Sequence, residues 1–210
     1  MKPVVLDYFQ TVYKPRTKLE ELIVKDNLYQ LSLVYISIPI VCYSLLYIFL
    51  TIADGAPSTF TPWLNISKEN YDSINRFLLA PSMIICWFTA TPFIQVVSRL
   101  TGGKGTFEQT LATISLSISI AMWGALIHDL PMSFLSAIGV IDAKQHEIAM
   151  NSPTLFRTLL WICYSIYFIA FFILFPLSVN VVHKLNWFKS ILIGASAFVI
   201  FQTIFLIFNR

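Results

Sequence analysis

Charged residues cut this chain into a few long apolar stretches. Five runs without Asp, Glu, Lys or Arg cover 27–53, 77–98, 109–128, 158–183 and 190–209, and they are 27, 22, 20, 26 and 20 residues long. A helix rising 1.5 Å per residue needs about 20 such residues to cross roughly 30 Å of hydrocarbon. The next run, 55–67, has only 13 residues, so the lengths fall into two groups. The pattern predicts an all-α integral membrane bundle of five transmembrane helices over 30–210, at about 30–53, 77–99, 106–128, 154–178 and 188–209.

Shorter stretches predict the connections. Residues 1–29 read as a cytoplasmic amphipathic tail of two short helices. Pro3 suits a first turn, and Val5, Phe9, Val12 and Tyr13 share one side until Pro15 breaks the chain. Thr17 with Glu20 forms a capping-box pattern for the second helix, whose Leu19, Leu22 and Ile23 share a face. The tail can dock on a membrane surface or partner, or simply lie along its own spans. Residues 54–76, with Gly55, Pro57 and Pro62, read as an irregular outer loop. That loop includes Asn65-Ile66-Ser67, a glycosylation pattern common by chance. Residues 130–141 are apolar but too short to cross, and are expected to lie at the outer interface or to dip in and return. Ser152 and Pro153 are expected to cap and open the fourth span.

Composition and charge sharpen the class. A soluble domain of this length carries about a quarter charged residues, roughly 52, whereas this chain has 14 Lys+Arg and 11 Asp+Glu in 210 residues, which excludes an ordinary soluble enzyme. The bases then set the orientation. One side receives Lys2, Lys14, Arg16, Lys18, Lys25, Arg99, Lys104, Lys184 and Lys189, which is 9; the other receives Lys68, Arg76, Lys144, Arg157 and Arg210, which is 5. A cytoplasmic N-terminus and an outer C-terminus are expected, with no cleaved signal. Trp63, Tyr71, Trp161 and Trp187 sit near span ends, as headgroup-level rings should.

Reactive chemistry is sparse. No acid or base falls near the middle of a span, where ion-coupled carriers keep one. Neither a His-Glu-x-x-His pattern nor a base placed to activate a nucleophile stands out along the chain; His128-Asp129 and His146-Glu147 are the only His-acid neighbours. Cys42, Cys86 and Cys163 share no ligand spacing. No catalytic residue, metal, cofactor or nucleic-acid partner is expected. Gln95, Gln202 and the Ser115 and Ser119 pair are the groups that a path for an uncharged solute would use.

Packing signals point to the third span. Thr113, Ser117, Ala121 and Ala125 recur every four residues as a small stripe that lets backbones approach. Ser190, Gly194 and Phe198 begin a similar pattern in the fifth, and Pro39, Pro92 and Pro176 are expected to kink spans one, two and four.

The most distinctive segment is Leu100-Thr101-Gly102-Gly103-Lys104-Gly105-Thr106-Phe107-Glu108-Gln109-Thr110-Leu111. It is not a phosphate loop, because position 98, five before Gly103, is Ser, and no strand precedes it. It reads as a tight turn of residues free to take positive φ, with Thr106 capping the next helix and Lys104 pairing with Glu108 near Arg99. Gly102 to Glu108 between the second and third of five spans, with Pro131 beyond the third, resembles the Yip domain family of Ypt/Rab-interacting membrane proteins. The match covers about 97–131, and the architecture extends it to nearly the whole chain. That resemblance implies a membrane scaffold with no known catalytic site, whose eukaryotic members act in traffic between endoplasmic reticulum and Golgi. Those members carry a long N-terminal region with Asp-Leu-Tyr-Gly-Pro and a Gly-Tyr pair; here the nearest match is Asp26-Asn27-Leu28-Tyr29, and no Gly-Tyr occurs. The departures argue against Rab GTPase binding and fit the short prokaryotic branch, in a cytoplasmic membrane. Lipids, other membrane proteins or a second copy are the expected partners.

Overall fold

The computed structural model describes residues 2–55, 64, 66, 67 and 70–209. Pro57, Pro62, Trp63, Asn65, Lys68 and Arg210 lie outside them. The described residues form eight helices: α1 (Lys2–Tyr13), α2 (Pro15–Leu22), α3 (Leu28–Ile52), α4 (Tyr71–Leu100), α5 (Phe107–Ala137), α6 (Ala143–Asn151), α7 (Leu155–His183) and α8 (Trp187–Asn209). Of these, α3, α4, α5, α7 and α8 are long and apolar enough to cross a membrane.

The crossing helices outrun several of the charge-free runs, because helical hydrogen bonding does not stop where hydrocarbon does. α4 begins at Tyr71, before Asp72 and Arg76. α5 continues through Asp129 and Pro131 to Ala137, so 130–137 does not dip in and return but forms the last turns of the same helix. Pro131 lacks the amide that would bond one turn back, yet its fixed φ suits a helix. Asp142 ends that region by capping α6, accepting from the Lys144 and Gln145 amides. Thr154, not Ser152, caps α7, its hydroxyl accepting from the Arg157 amide at 3.2 Å.

α5 is the centre of the bundle, packed mainly against α3 and α7, while α4 lies against α8 and α3. Of its apolar stretch 83% is buried, against at most 44% for any other crossing helix. The polarity is arranged as lipid demands. Thr110, Thr113, Ser115, Ser117 and Ser119 are all buried, while Ile84, Phe88, Ile166 and Val199 face outward. Where the surroundings are as apolar as the core, small side chains that permit close approach go inside.

The same logic turns α1 around. Phe9, Val12 and Tyr13 are exposed, and Tyr8 and Thr11 are buried. The Tyr8 hydroxyl donates to the Ser119 carbonyl at 3.0 Å and accepts from the Trp123 indole at 2.6 Å. Ser119 lies twelve residues past Phe107, about 18 Å along α5. From Pro15, therefore, α1 climbs along the spans instead of lying flat beyond them. α2 starts at Pro15 with no side-chain cap; Thr17 and Glu20 do not form the box, and Glu20 pairs with Arg16 at 3.0 Å. Leu19 and Leu22 anchor α2 among Leu31, Tyr35, Ala112, Leu116, Leu177 and Val181.

Candidate functional site at the glycine turn

The turn between α4 and α5 is clasped onto the end of α7. Its backbone closes on itself and on α7: the Gly102 amide donates to Arg99, the Gly103 amide to Ser98 at 2.7 Å, and the Lys104 amide to His183 at 3.2 Å. Thr106 then opens α5 with a full capping box. Its hydroxyl accepts from the Gln109 amide at 3.3 Å, and its own amide donates to the Gln109 side chain at 3.0 Å. The Gln109 side-chain amide also donates to the Ile23 carbonyl at 3.0 Å, tying the chain that follows α2 to the turn. Because the amides of Gly102, Gly103, Lys104 and Thr106 are already engaged, the turn lacks the open nest that cradles a phosphate.

The three glycines do different work. Only Gly102 takes a positive φ, +98°. Gly103 and Gly105 are required by proximity. A Cβ on Gly103 would stand 2.8 Å from the His183 Cβ and 2.8 Å from the Ser98 oxygen; one on Gly105 would stand 2.3 Å from a Val182 methyl and 2.8 Å from the Val182 oxygen. The freedom to take positive φ is therefore used at Gly102 alone. α7 ends at the same place through Lys184, which is left-handed at φ +55°. Asn180 steadies that ending by donating to the Leu185 carbonyl at 2.7 Å.

Beneath the turn lies a buried polar cluster that spacing along the chain did not reveal. The Gln95 amide donates to the Gly105 carbonyl at 3.1 Å, and the Thr110 hydroxyl lies 2.7 Å from the Gln95 oxygen and 3.1 Å from His183 Nε2. With its one proton directed to the Gln95 oxygen or to the Thr106 carbonyl at 2.9 Å, Thr110 accepts from His183, an arrangement that needs the imidazole proton on Nε2. His183 Nδ1 is then a buried acceptor without a partner. Thr110 and His183 are 73 residues apart, so no local motif could pair them. Each is 1% exposed, and this hydroxyl and imidazole hold helices together with no room for a substrate.

Lys104 makes no ion pair with Glu108. The Tyr29 hydroxyl reaches the Glu108 carboxylate at 3.3 Å instead. Lys189 bonds the Thr101 carbonyl at 2.9 Å, and Phe107 packs against the core. Pro131 is exposed in α5, far along the helix from the turn.

Within the membrane, Thr113, Ser117, Ala121 and Ala125 are all buried, and Ser117 meets Ser178 of α7 at 2.9 Å between hydroxyl oxygens. A very close approach lies beside that stripe, at Gly124, whose missing Cβ would fall against the Tyr167 backbone. From Ala121 the four-residue step leads to Ala125, whereas the three-residue step leads to Gly124 on the same helical face. Gly194 of α8 makes the corresponding approach to Pro176, its missing Cβ falling 2.4 Å from the proline nitrogen.

At the opposite end, His128 Nδ1 bonds Asp129 at 2.8 Å, and the Tyr164 hydroxyl donates to the same carboxylate at 3.4 Å. The His146 ring of α6 stacks over His128, with centroids 5.7 Å apart and planes at 24°. Burial, and next the neighbouring His128, hold His146 below the usual imidazole pKa, against an opposing pull from Asp129. Among the described residues, no three His, Cys, Asp or Glu could hold a metal ion.

Five apolar crossing helices around a small-residue centre, with a clasped glycine turn at one end, define an integral membrane protein. The Yip1 domain model matches residues 9–208, nearly the whole chain, and the protein belongs to that family. No curated protein and no solved structure matches it.

Proposed function

We propose that this protein is a non-enzymatic scaffold or interaction protein of a prokaryotic cytoplasmic membrane, working through contacts with lipids, other membrane proteins or a second copy. Its N-terminus and glycine turn face the cytoplasm, and its C-terminal end lies outside. The observation that carries this reading is the interior at mid-membrane, filled by Met83, Trp87, Ile114, Ile118, Met122, Phe171 and Phe201, each at most 2% exposed. The polar groups that a solute path would use are engaged elsewhere. Gln95 serves the turn, Gln202 accepts from the Tyr167 hydroxyl at 2.7 Å, Ser115 bonds the Ala112 carbonyl, and Ser119 holds Tyr8. Orientation rests on the 9 to 5 division of bases.

The test is reconstitution into liposomes loaded with uncharged solutes such as glycerol and urea. Efflux no faster than from protein-free liposomes is expected, and saturable efflux would favour a small transporter or channel component. Affinity purification from native membranes, with crosslinking before extraction, should recover stoichiometric membrane partners. Reporter fusions at the two ends should report opposite compartments, the N-terminal one cytoplasmic.

A further inference from the structure

We infer that the stacked His128 and His146 pair is a proton-operated latch that holds α6 against the far end of the bundle and releases it on acidification. α6 is lightly held, with no fully buried residue. His146 is its ring contact with α5. Its ties at the edges include the exposed Lys144 to Asp54 bridge at 3.0 Å, the Thr154 hydroxyl to Ala149 at 2.8 Å, the Ser152 hydroxyl to the Ile148 carbonyl at 3.1 Å, and Arg157 to the Asn151 carbonyl at 3.3 Å. An element with so little buried surface opens well before the bundle does.

The chemistry of the pair makes docking depend on protons. With Nδ1–H directed to Asp129, His128 keeps its Nε2 lone pair inside the structure, where that atom has no partner. A proton placed there would create an N–H without an acceptor. A proton on His146 would put a charge into its half-buried place against that ring, 5.7 Å between centroids, where burial disfavours it. Swinging α6 into water relieves both. The charged groups around the pair are Asp129 on α5, Glu147 on α6 and, facing Glu147, Asp72 on α4, with the Tyr164 hydroxyl on α7. The sign follows from linkage. His146 is lowered in the docked state, so the docked state binds fewer protons; docking is complete above the ordinary imidazole value of about 6.5 and weakens as pH falls through and below it.

Hydrogen–deuterium exchange of residues 143–151 in the full-length protein in lipid nanodiscs, corrected for intrinsic exchange, tests the latch. Between pH 8 and pH 5 the protection of α6 should fall at least fivefold, while that of residues 110–126 stays constant. His146→Phe keeps an aromatic ring and removes the titration, so its protection should be high and independent of pH. A flat wild-type profile overturns the inference, as does a His146→Phe profile that falls like the wild type, which would assign the effect to a group other than His146; protonating Asp72 relieves its repulsion with Glu147 and so favours docking. Should His146→Phe be unprotected already at pH 8, the wild-type profile decides alone: a fall centred between pH 5 and 6.5 sustains the latch, and any other shape overturns it.

Discussion

Gly124 of α5 and Tyr167 of α7 meet so closely that a Cβ on the glycine would stand 2.4 Å from the tyrosine backbone nitrogen. No rotamer change relieves contact with a backbone atom, so the helices themselves must separate. Gly124→Ala is expected to destabilise the detergent-solubilised protein by about 1–3 kcal/mol, the usual range for overpacking. Gly194→Ala, against Pro176, should behave alike. Thermal unfolding followed by tryptophan fluorescence is the measurement, with the exposed Ser196→Ala as control. Equal midpoints for Gly124→Ala and the control would show that α5 and α7 are not in contact there.

The neighbouring stripe supplies a second test. Ser117→Leu and Ala121→Leu add bulk at positions no more than 1% exposed and should be markedly less stable than Ile120→Leu, which is nearly isosteric and only partly buried. Ser117→Ala should be milder than Ser117→Leu, since it removes a hydroxyl contact with Ser178 without adding volume. If both leucine variants unfold like the Ile120→Leu control, that face of α5 is turned to lipid.

The glycine turn separates conformation from proximity. Gly102→Asn should be tolerated better than Gly102→Val, because Asn accepts positive φ and nothing lies within 4 Å of the missing Cβ. Gly105→Ala should be harmful through Val182. Combined with Val182→Ala it should lose less stability than the two single changes summed, with a coupling of about 0.5–3 kcal/mol in a double-mutant cycle. Strict additivity would mean that the Val182 side chain is not the reason for the glycine, leaving the Val182 backbone as the obstacle.

Thr110→Val preserves shape and removes the hydroxyl between Gln95 and His183. Two buried polar groups then lose a partner, and a loss of about 1–3 kcal/mol is expected. Adding His183→Phe to Thr110→Val should not double that loss, because the two residues act through one interaction.

Tyr8→Phe takes the acceptor from the Trp123 indole and the donor from the Ser119 carbonyl. α1 should become easier to exchange while the bundle remains intact. Faster deuterium uptake at residues 8–13 with unchanged uptake in α5 is the expected result; identical uptake in α1 would show that it is held by something other than Tyr8.

Much of this architecture was open to reading from residue order alone, since crossing a membrane depends on length and apolarity, and both are properties of a contiguous segment. Five uncharged runs therefore located five helices, and the four-residue recurrence of Thr113, Ser117, Ala121 and Ala125 selected α5 for the centre. The Thr106 cap was equally legible, because its partner Gln109 is one turn away. What needed the tertiary structure joins distant segments. Gly103 and Gly105 are glycines because Val182 and His183 stand against them, and Tyr8 is buried because Ser119 and Trp123 receive it. The apolar side of α1 looked like its buried side, as it would in water. Lipid gives Phe9 and Val12 no reason to leave the surface, so the hydrogen-bonding Tyr8 and the buried Thr11 determined which side turned inward.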